Sequence, residues 1–287
     1  MAATLTAAIT DGPPRAEALA DTDRDEALAF LGERPLHTVV MAGLLRQHGP
    51  VVPAPAGSFY ACRGRGGRLE GLALVGRATM FEARTPAALS AFAARARACP
   101  SVRMIVGEAH DIESFWDCYA VGGRAPRMFC REFFYEFSQT AGADCGGVGL
   151  RRAAPEDLDQ IVEAHARMVF EESGVNPLAE DAEGFRRRCA LRVERGKVWA
   201  LIEDGELIFK ADVVAETPQA SYIEGVWVSP AHRLKGYGRR CWAAMSRALL
   251  DRAPAFCGFV AARNSAALNF YERVGGVPFG DYDKVYL

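Results

Sequence analysis

Apolar positions along this chain alternate between helical and strand spacing. Asp23-Arg24-Asp25-Glu26 has the layout of a capping-box helix start, and Ala27, Leu28, Phe30 and Leu31 follow as one stripe. A second short helix is expected over 38–47. Strands are expected over 59–62, 69–75 and 78–83, the first two joined by Arg63-Gly64-Arg65-Gly66-Gly67-Arg68. Thr85-Pro86 is an N-cap followed by proline at the first helical position; Leu89, Phe92 and Ala96 mark the helix after it. A strand at 102–106, a helix at 112–119 and an aromatic strand at 128–137 close the first half.

The pattern then repeats with one extra strand at its front. Strand 149–152 leads to a helix from Pro155 with Leu158, Ile161, Val162, His165 and Val169 on one side. Phe185, Cys189 and Val193 recur at i, i+4, i+8, and Gly196 stops that helix. Strands 198–202 and 207–214 flank Asp204-Gly205, a hairpin signal. Strand 222–228, a helix carrying Trp242, Met245 and Leu249, strand 256–260, helix 265–274 and a hairpin over 277–287 complete it. The small, glycine-rich stretch Thr140–Gly147 reads as the linker. The expected organisation is a first domain over 1–139, a linker over 140–147 and a second domain over 148–287.

Composition narrows the function classes. The chain has 287 residues, 50% hydrophobic and 24% charged, with a net charge of −2. A duplex-coating protein would show a basic excess, so no nucleic-acid partner is expected. The eight cysteines include no CxxC pair and the five histidines are dispersed, so neither a disulfide scaffold nor a metal site is expected. No apolar run approaches a membrane span, and the first residues lack a signal-peptide pattern. A cytoplasmic location with free thiols, and no membrane partner, is the expectation.

The sharpest chemical signal follows strand 222–228. After Ser229-Pro230 comes Arg233-Leu234-Lys235-Gly236-Tyr237-Gly238, and then a helix. A helix start offers unpaired N–H groups and a positive dipole end, and glycines let those groups approach a phosphate closely. Arg233, Lys235 and Arg239 add positive charge. This loop resembles the R/Q-x-x-G-x-G/A acyl-CoA loop of the GNAT superfamily of N-acetyltransferases. Further on, Asn264-x-x-Ala267-x-x-Phe270-Tyr271-x-x-x-Gly275 resembles that superfamily's second signature. The likeness covers roughly residues 148–287.

The resemblance implies an α/β (α+β) fold of two GNAT-like domains, each a mixed, mostly antiparallel twisted sheet flanked by helices. It implies acetyl-CoA as cosubstrate and a primary amine of a small molecule, amino acid or peptide as acceptor. A different acyl donor, or CoA sensing without turnover, are the alternatives. By the same resemblance the amides of Leu234 to Arg239 would hold the pyrophosphate, and Trp227-Val228 would pair with pantetheine. Val226 would lie near the thioester carbonyl. Tyr271 would protonate the leaving thiolate, or simply pack; Asn264 would contact CoA or cap its helix. Glu224, placed by strand parity on the face of Val226 and Val228 with Tyr222 next to it, would bind or deprotonate the amine, or be ion-paired.

Lys210 and Asp212 share one face of a strand expected to be central, where charges are costly unless paired or wet; they pair with each other or a neighbour, or they line the acceptor cleft. Glu171, Glu172 and Asn176 lie where the family places an acceptor loop; they recognise a cationic substrate or form a solvated helix end. In the first half, Ala83-Arg84-Thr85-Pro86 stands where a phosphate loop would be, without its glycines. A degenerate copy is inferred there, supplying a wall of the acceptor cleft or a surface for homodimer formation.

Overall fold

The elements follow from the spacing of apolar residues in most places. The computed structural model describes residues 15–53, 56–121, 123, 125–140 and 149–287; the expected linker falls outside them from residue 141 onward. In chain order the elements are β1 (Ala16–Ala18), α1 (Arg24–Gly32), α2 (Pro35–His48), β2 (Val51–Val52), β3 (Gly57–Arg63), β4 (Leu69–Val75), β5 (Ala78–Ala83), α3 (Pro86–Arg97), β6 (Met104–Glu108), α4 (Ala109–Tyr119) and β7 (Met128–Phe137). There follow β8 (Arg151–Arg152), α5 (Leu158–Ser173), α6 (Pro177–Glu194), β9 (Val198–Glu203), β10 (Glu206–Glu216), β11 (Ser221–Val228), α7 (Tyr237–Leu250), β12 (Phe256–Ala261), α8 (Ser265–Arg273) and β13 (Val277–Tyr286).

The chain divides into two compact units that are not consecutive in sequence. The first comprises residues 1–34, 41–132 and 280–287; the second comprises 35–40 and 133–279. The first unit's sheet runs β1-β3-β4-β5-β6, then the end of β13, then the start of β7. β5 and β6 pair in parallel across the crossover helix α3, and β1–β3, β3–β4, β4–β5 and β6–β13 pair antiparallel. Thr85 caps α3 as expected, its Oγ1 accepting from Ala88 N at 3.3 Å. The apolar faces of α3 and α4 bury Phe92, Ala96, Ile112 and Phe115 against β4–β6 and Val285.

The second unit repeats this plan. Its sheet runs from the end of β7 through β12, β11, β10 and β9 to β8, and β11 and β12 form the parallel pair. One face carries α7 and α8, which bury Trp242, Met245, Leu249 and Tyr271 against Val213, Ile223 and Phe256. On the other, α5 and α6 cover Ala200 and Leu207 through Ile161, Ala164 and Val193. Each unit is thus a mixed, mostly antiparallel sheet flanked by helices.

Two local expectations are corrected, and two short strands are added. Val277–Tyr286 form one strand where a hairpin over 277–287 was expected; Val285 is fully buried in the first unit, and β13 pairs continuously with β6 from Tyr282 to Tyr286. The capping box at Asp23 does not form; Asp23 and Glu26 instead meet Arg63, at 3.4 and 2.5 Å. The short strands β1 and β2 hold too few residues to show a period of two.

Candidate active site

Strand β11 is pinned to β10 along its length but to β12 only at its start. The parallel ladder pairs Ser221 with Phe256, Tyr222 with Cys257 and Ile223 with Gly258, and stops there. Glu224 to Val228 continue beside β10 alone and are half-buried. A split therefore opens in the sheet beyond Ile223 and Gly258. The hydroxyl of Tyr271, from α8, stands at its apex: a Cβ added to Gly258 would lie 3.2 Å from that oxygen. The Tyr271 ring is fixed edge-on by Tyr135 and Phe137, with centroids 5.5 and 5.2 Å away.

The strand carries a bulge that parity alone does not show. Asp212 pairs with Glu224 and Lys210 with Trp227, so three steps on β11 match two on β10. Gly225, at φ +63°, takes the left-handed backbone this needs. The extra residue reverses the facing beyond it. Val226 and Val228 pack on the α7–α8 side, whereas Trp227 packs among α5–α6 residues. Glu224 consequently shares its face with Tyr222, Trp227, Lys210 and Asp212. The expectation that it faces with Val226 and Val228 is corrected.

A connected set of charges lies on that face. Lys210 is fully buried, and its Nζ lies 3.0 Å from Asp212 Oδ1 and donates to Gly225 O at 3.2 Å. Arg192 on α6 donates from Nη1 to Asp212 Oδ2 at 3.1 Å, meets His165 Nε2 at 3.1 Å, and lies 3.5 Å from Glu224 Oε1. Burial pushes the Asp212 carboxyl up, but Lys210 and Arg192 outweigh it and hold it below its usual range. Burial lowers the Arg192 guanidinium, yet Glu224 and Asp212 leave it raised. His165 is pushed down to about 3, by burial first and then by Lys210 and Arg192, so its imidazole is neutral. Lys210 and Asp212 thus pair with each other, and Asp212 also with Arg192 of α6. Arg192, which sequence reading missed, was signalled only indirectly: a buried Lys–Asp pair calls for further partners.

The loop after β11 has the geometry of an anion cradle. Leu234 and Gly236 have φ of +61° and +86°, turning successive amides toward one side. The first backbone bond into α7 is Arg240 N to Gly236 O, and among the described residues the six N–H groups of Leu234 to Arg239 donate to no backbone carbonyl. Arg233 Nε donates to Val228 O at 3.2 Å and ties the loop to the strand end. Lys235 and Arg239 are exposed. Tyr237 donates to Glu203 Oε2 at 2.8 Å, and Gly238 sits against Phe270 and Val228. Asn264 caps α8, its Oδ1 accepting from Ala267 N at 3.1 Å. Asn176 likewise caps α6 through Leu178 N at 3.0 Å, and Glu172 O accepts from Arg263.

Groups elsewhere are accounted for by pairing or burial. In the first unit Glu108, His110 and Asp111 bring ligand atoms within 4.8 Å of one another, a grouping the dispersed histidines did not suggest. Glu108 there is paired with Arg34 at 2.7 Å. The seven described cysteines are free thiols. Burial pushes Cys241 up to about 12 and Cys257 higher still, which removes both as thiolate nucleophiles. Among the described residues, no helix is long and apolar enough to cross a membrane.

Comparison with known proteins matches this geometry. The sequence model of the acetyltransferase (GNAT) family matches residues 159–276. No curated protein gave a match. Among solved structures, a Drosophila protein from a structural genomics programme aligns at TM-score 0.70 and 15% identity, covering 96% of this chain and 98% of its own. A tandem GNAT protein from the clavulanic acid biosynthesis pathway aligns at TM-score 0.60 and 13% identity, covering 96% and 97%. A GCN5-related N-acetyltransferase from Sphaerobacter thermophilus aligns at TM-score 0.55 and 13% identity, covering 97% and 96%. At these identities the structural likeness is one of fold, and it extends over both units. Residues 159–276, the stretch that matches the acetyltransferase (GNAT) family model, hold the split strand, the amide cradle and Tyr271.

Proposed function

We propose that the second unit is an acetyl-CoA-dependent N-acetyltransferase that moves an acetyl group onto a primary amine in a ternary complex. One observation carries this reading: the β11–β12 ladder ends beside the Tyr271 hydroxyl, and β11 then leads, through one turn over residues 229–233, into six open amides. Those amides of Leu234 to Arg239, with Lys235 and Arg239, fit a pyrophosphate. The free edge of Val226 to Val228 fits an extended amide-bearing arm. Acetyl-CoA would supply the activated thioester.

The chain's own residues account for both proton movements. The amine must lose a proton as its nitrogen bonds the carbonyl carbon, and Glu224, at the mouth of the split on one face, takes it directly or through water. The carbon–sulfur bond breaks, and Tyr271, at the split from the other face, gives its phenolic proton to the leaving sulfur. Solvent restores both groups. The residues assigned to the cradle and to both proton movements lie within 148–287, and free thiols support a cytoplasmic setting. Calorimetry with acetyl-CoA tests the reading, with one site per chain expected. No heat of binding at millimolar acetyl-CoA would overturn it, and binding without thiol release in the presence of any amine would leave only a CoA sensor.

A further inference from the structure

The contacts of Arg192 point to the class of acceptor. Its Nη1 carries two hydrogens, and they meet His165 Nε2 and Asp212 Oδ2, both at 3.1 Å. Among the described residues, Nη2 and Nε have no hydrogen-bond partner, and the side chain is 36% exposed. A guanidinium in this state presents the rest of its planar donor fork outward, the arrangement that binds a carboxylate. Its neighbour at 3.5 Å is Glu224, also 36% exposed, at the mouth of the split. Glu224 is therefore not a lone carboxylate awaiting a cation. It is one half of an exposed pair whose other half has donors to spare.

Charge balance favours the same occupant. Lys210 and Arg192 are offset by Asp212 and Glu224, and His165 is neutral. A simple cationic amine would compete with Arg192 for Glu224 and bring an uncompensated charge into a half-buried site. A zwitterion does neither: its ammonium meets Glu224 while its carboxylate meets the outer edge of Arg192. Resting on the N-acetyltransferase reading above, we infer that the acceptor is a free α-amino acid, with Arg192 as its carboxylate-binding residue. The amino group then lies beside Glu224, next to the split where the acyl carbon must sit. The product would be an N-acetyl amino acid.

The test compares three forms of one side chain, each with acetyl-CoA and a thiol-release readout. Leucine, leucinamide and isopentylamine differ only in what stands beside the amine, and the glycine and phenylalanine series repeat the comparison. The expected result is a kcat/KM for at least one amino acid more than tenfold above its amide and its decarboxylated amine. Arg192→Lys, which keeps the charge and loses the fork, should shrink that ratio at least fivefold, chiefly through KM for the amino acid. The ratio is read within one variant, so a general loss of activity or stability does not imitate it. Equal or better use of the amide or amine by the unaltered protein overturns the inference while leaving acetyl transfer standing. An unchanged ratio in Arg192→Lys removes Arg192 from recognition. Failure to bind acetyl-CoA at all overturns both readings, and calorimetry separates that case from the others.

Discussion

The two units share a plan and differ at the point where chemistry would occur. Each has a parallel strand pair joined by a crossover helix, and each ladder breaks off after three paired residues: Ala78 to Met80 on β5, Ser221 to Ile223 on β11. In the second unit the residue beyond the break is Glu224, and the Tyr271 hydroxyl reaches the split from α8. In the first it is Phe81, which stacks on Phe115 of α4 at 4.6 Å with the rings 1° from parallel. Phe81 lies so close to Gly107 that a Cβ there would sit 2.8 Å from its ring. Phe115 and Tyr271 are each the seventh residue of their helix. The same frame thus holds a plugged split in one unit and an open one in the other.

The contrast extends to the charged groups. Glu82 of the first unit also meets an arginine, Arg34, at 3.2 Å, but it is buried and has Arg84 on it as well, at 3.5 Å. Burial raises its carboxyl despite these arginines. Glu224 keeps a third of its surface open. At the helix start, Thr85 caps Ala88 N and Pro86 has no donor, whereas α7 begins with amides pointing outward. A closed split, a buried carboxylate and a capped helix thus stand in the first unit where the second has an open split, a half-exposed carboxylate and open amides.

The largest effect separating the units should come from deleting residues 280–287. Hydrogen exchange should show β4 to β6 losing protection as the partner of β6 and the buried Val285 disappear, while β9 to β11 keep theirs. Uniform loss across both units would show that they are one cooperative block. Next in size is Tyr271→Phe, which gives the second unit the ring chemistry of the first. Turnover should fall by about 10²-fold or more, the usual worth of a positioned general acid, with acetyl-CoA affinity within about twofold. Undiminished kcat would take Tyr271 out of the mechanism.

The smallest effect concerns His165. Its folded pKa of about 3 lies below the ordinary value of 6.5, so the unfolded chain binds the extra proton as pH falls. The stabilisation is full above pH 6.5 and is lost progressively toward pH 3. Between pH 6.5 and 5.5, before most carboxylates titrate, the protein should lose about 1 kcal/mol relative to His165→Gln. Parallel denaturation curves for the two proteins across that interval would show His165 to be solvated instead.

Local features were legible in the sequence and pairing features were not. Thr85-Pro86 sits at the N-cap of α3 as its residue types dictate, and Asp204-Gly205 takes φ of +51° and +79° as a tight hairpin turn requires. The loop at 233–238 could be placed between strand and helix because glycine and proline punctuate it. The bulge at Gly225 could not, because an extra residue is defined only by the strand opposite, and strict alternation then put Glu224 on the wrong face. Nothing in the sequence singles out Arg192, since its partners come from β10, β11 and α5. Gly280-Asp281 has the composition of a turn, but β13 runs through it, held by Arg131 on Asp283 at 2.5 Å and Lys284 on Glu132 at 2.9 Å.

That last strand also sets an order of events during synthesis. Its partner β6 leaves the ribosome long before residue 280 is made; at about 5–20 residues per second, roughly ten to thirty seconds elapse between them. For that interval the first unit exists with a bare β6 edge, a template for mispairing with other chains. Its core closes only once residues 282–286 have emerged. A product lacking residues 280–287 therefore carries its defect in the unit whose other strands are translated first, while the second unit keeps most of its sheet.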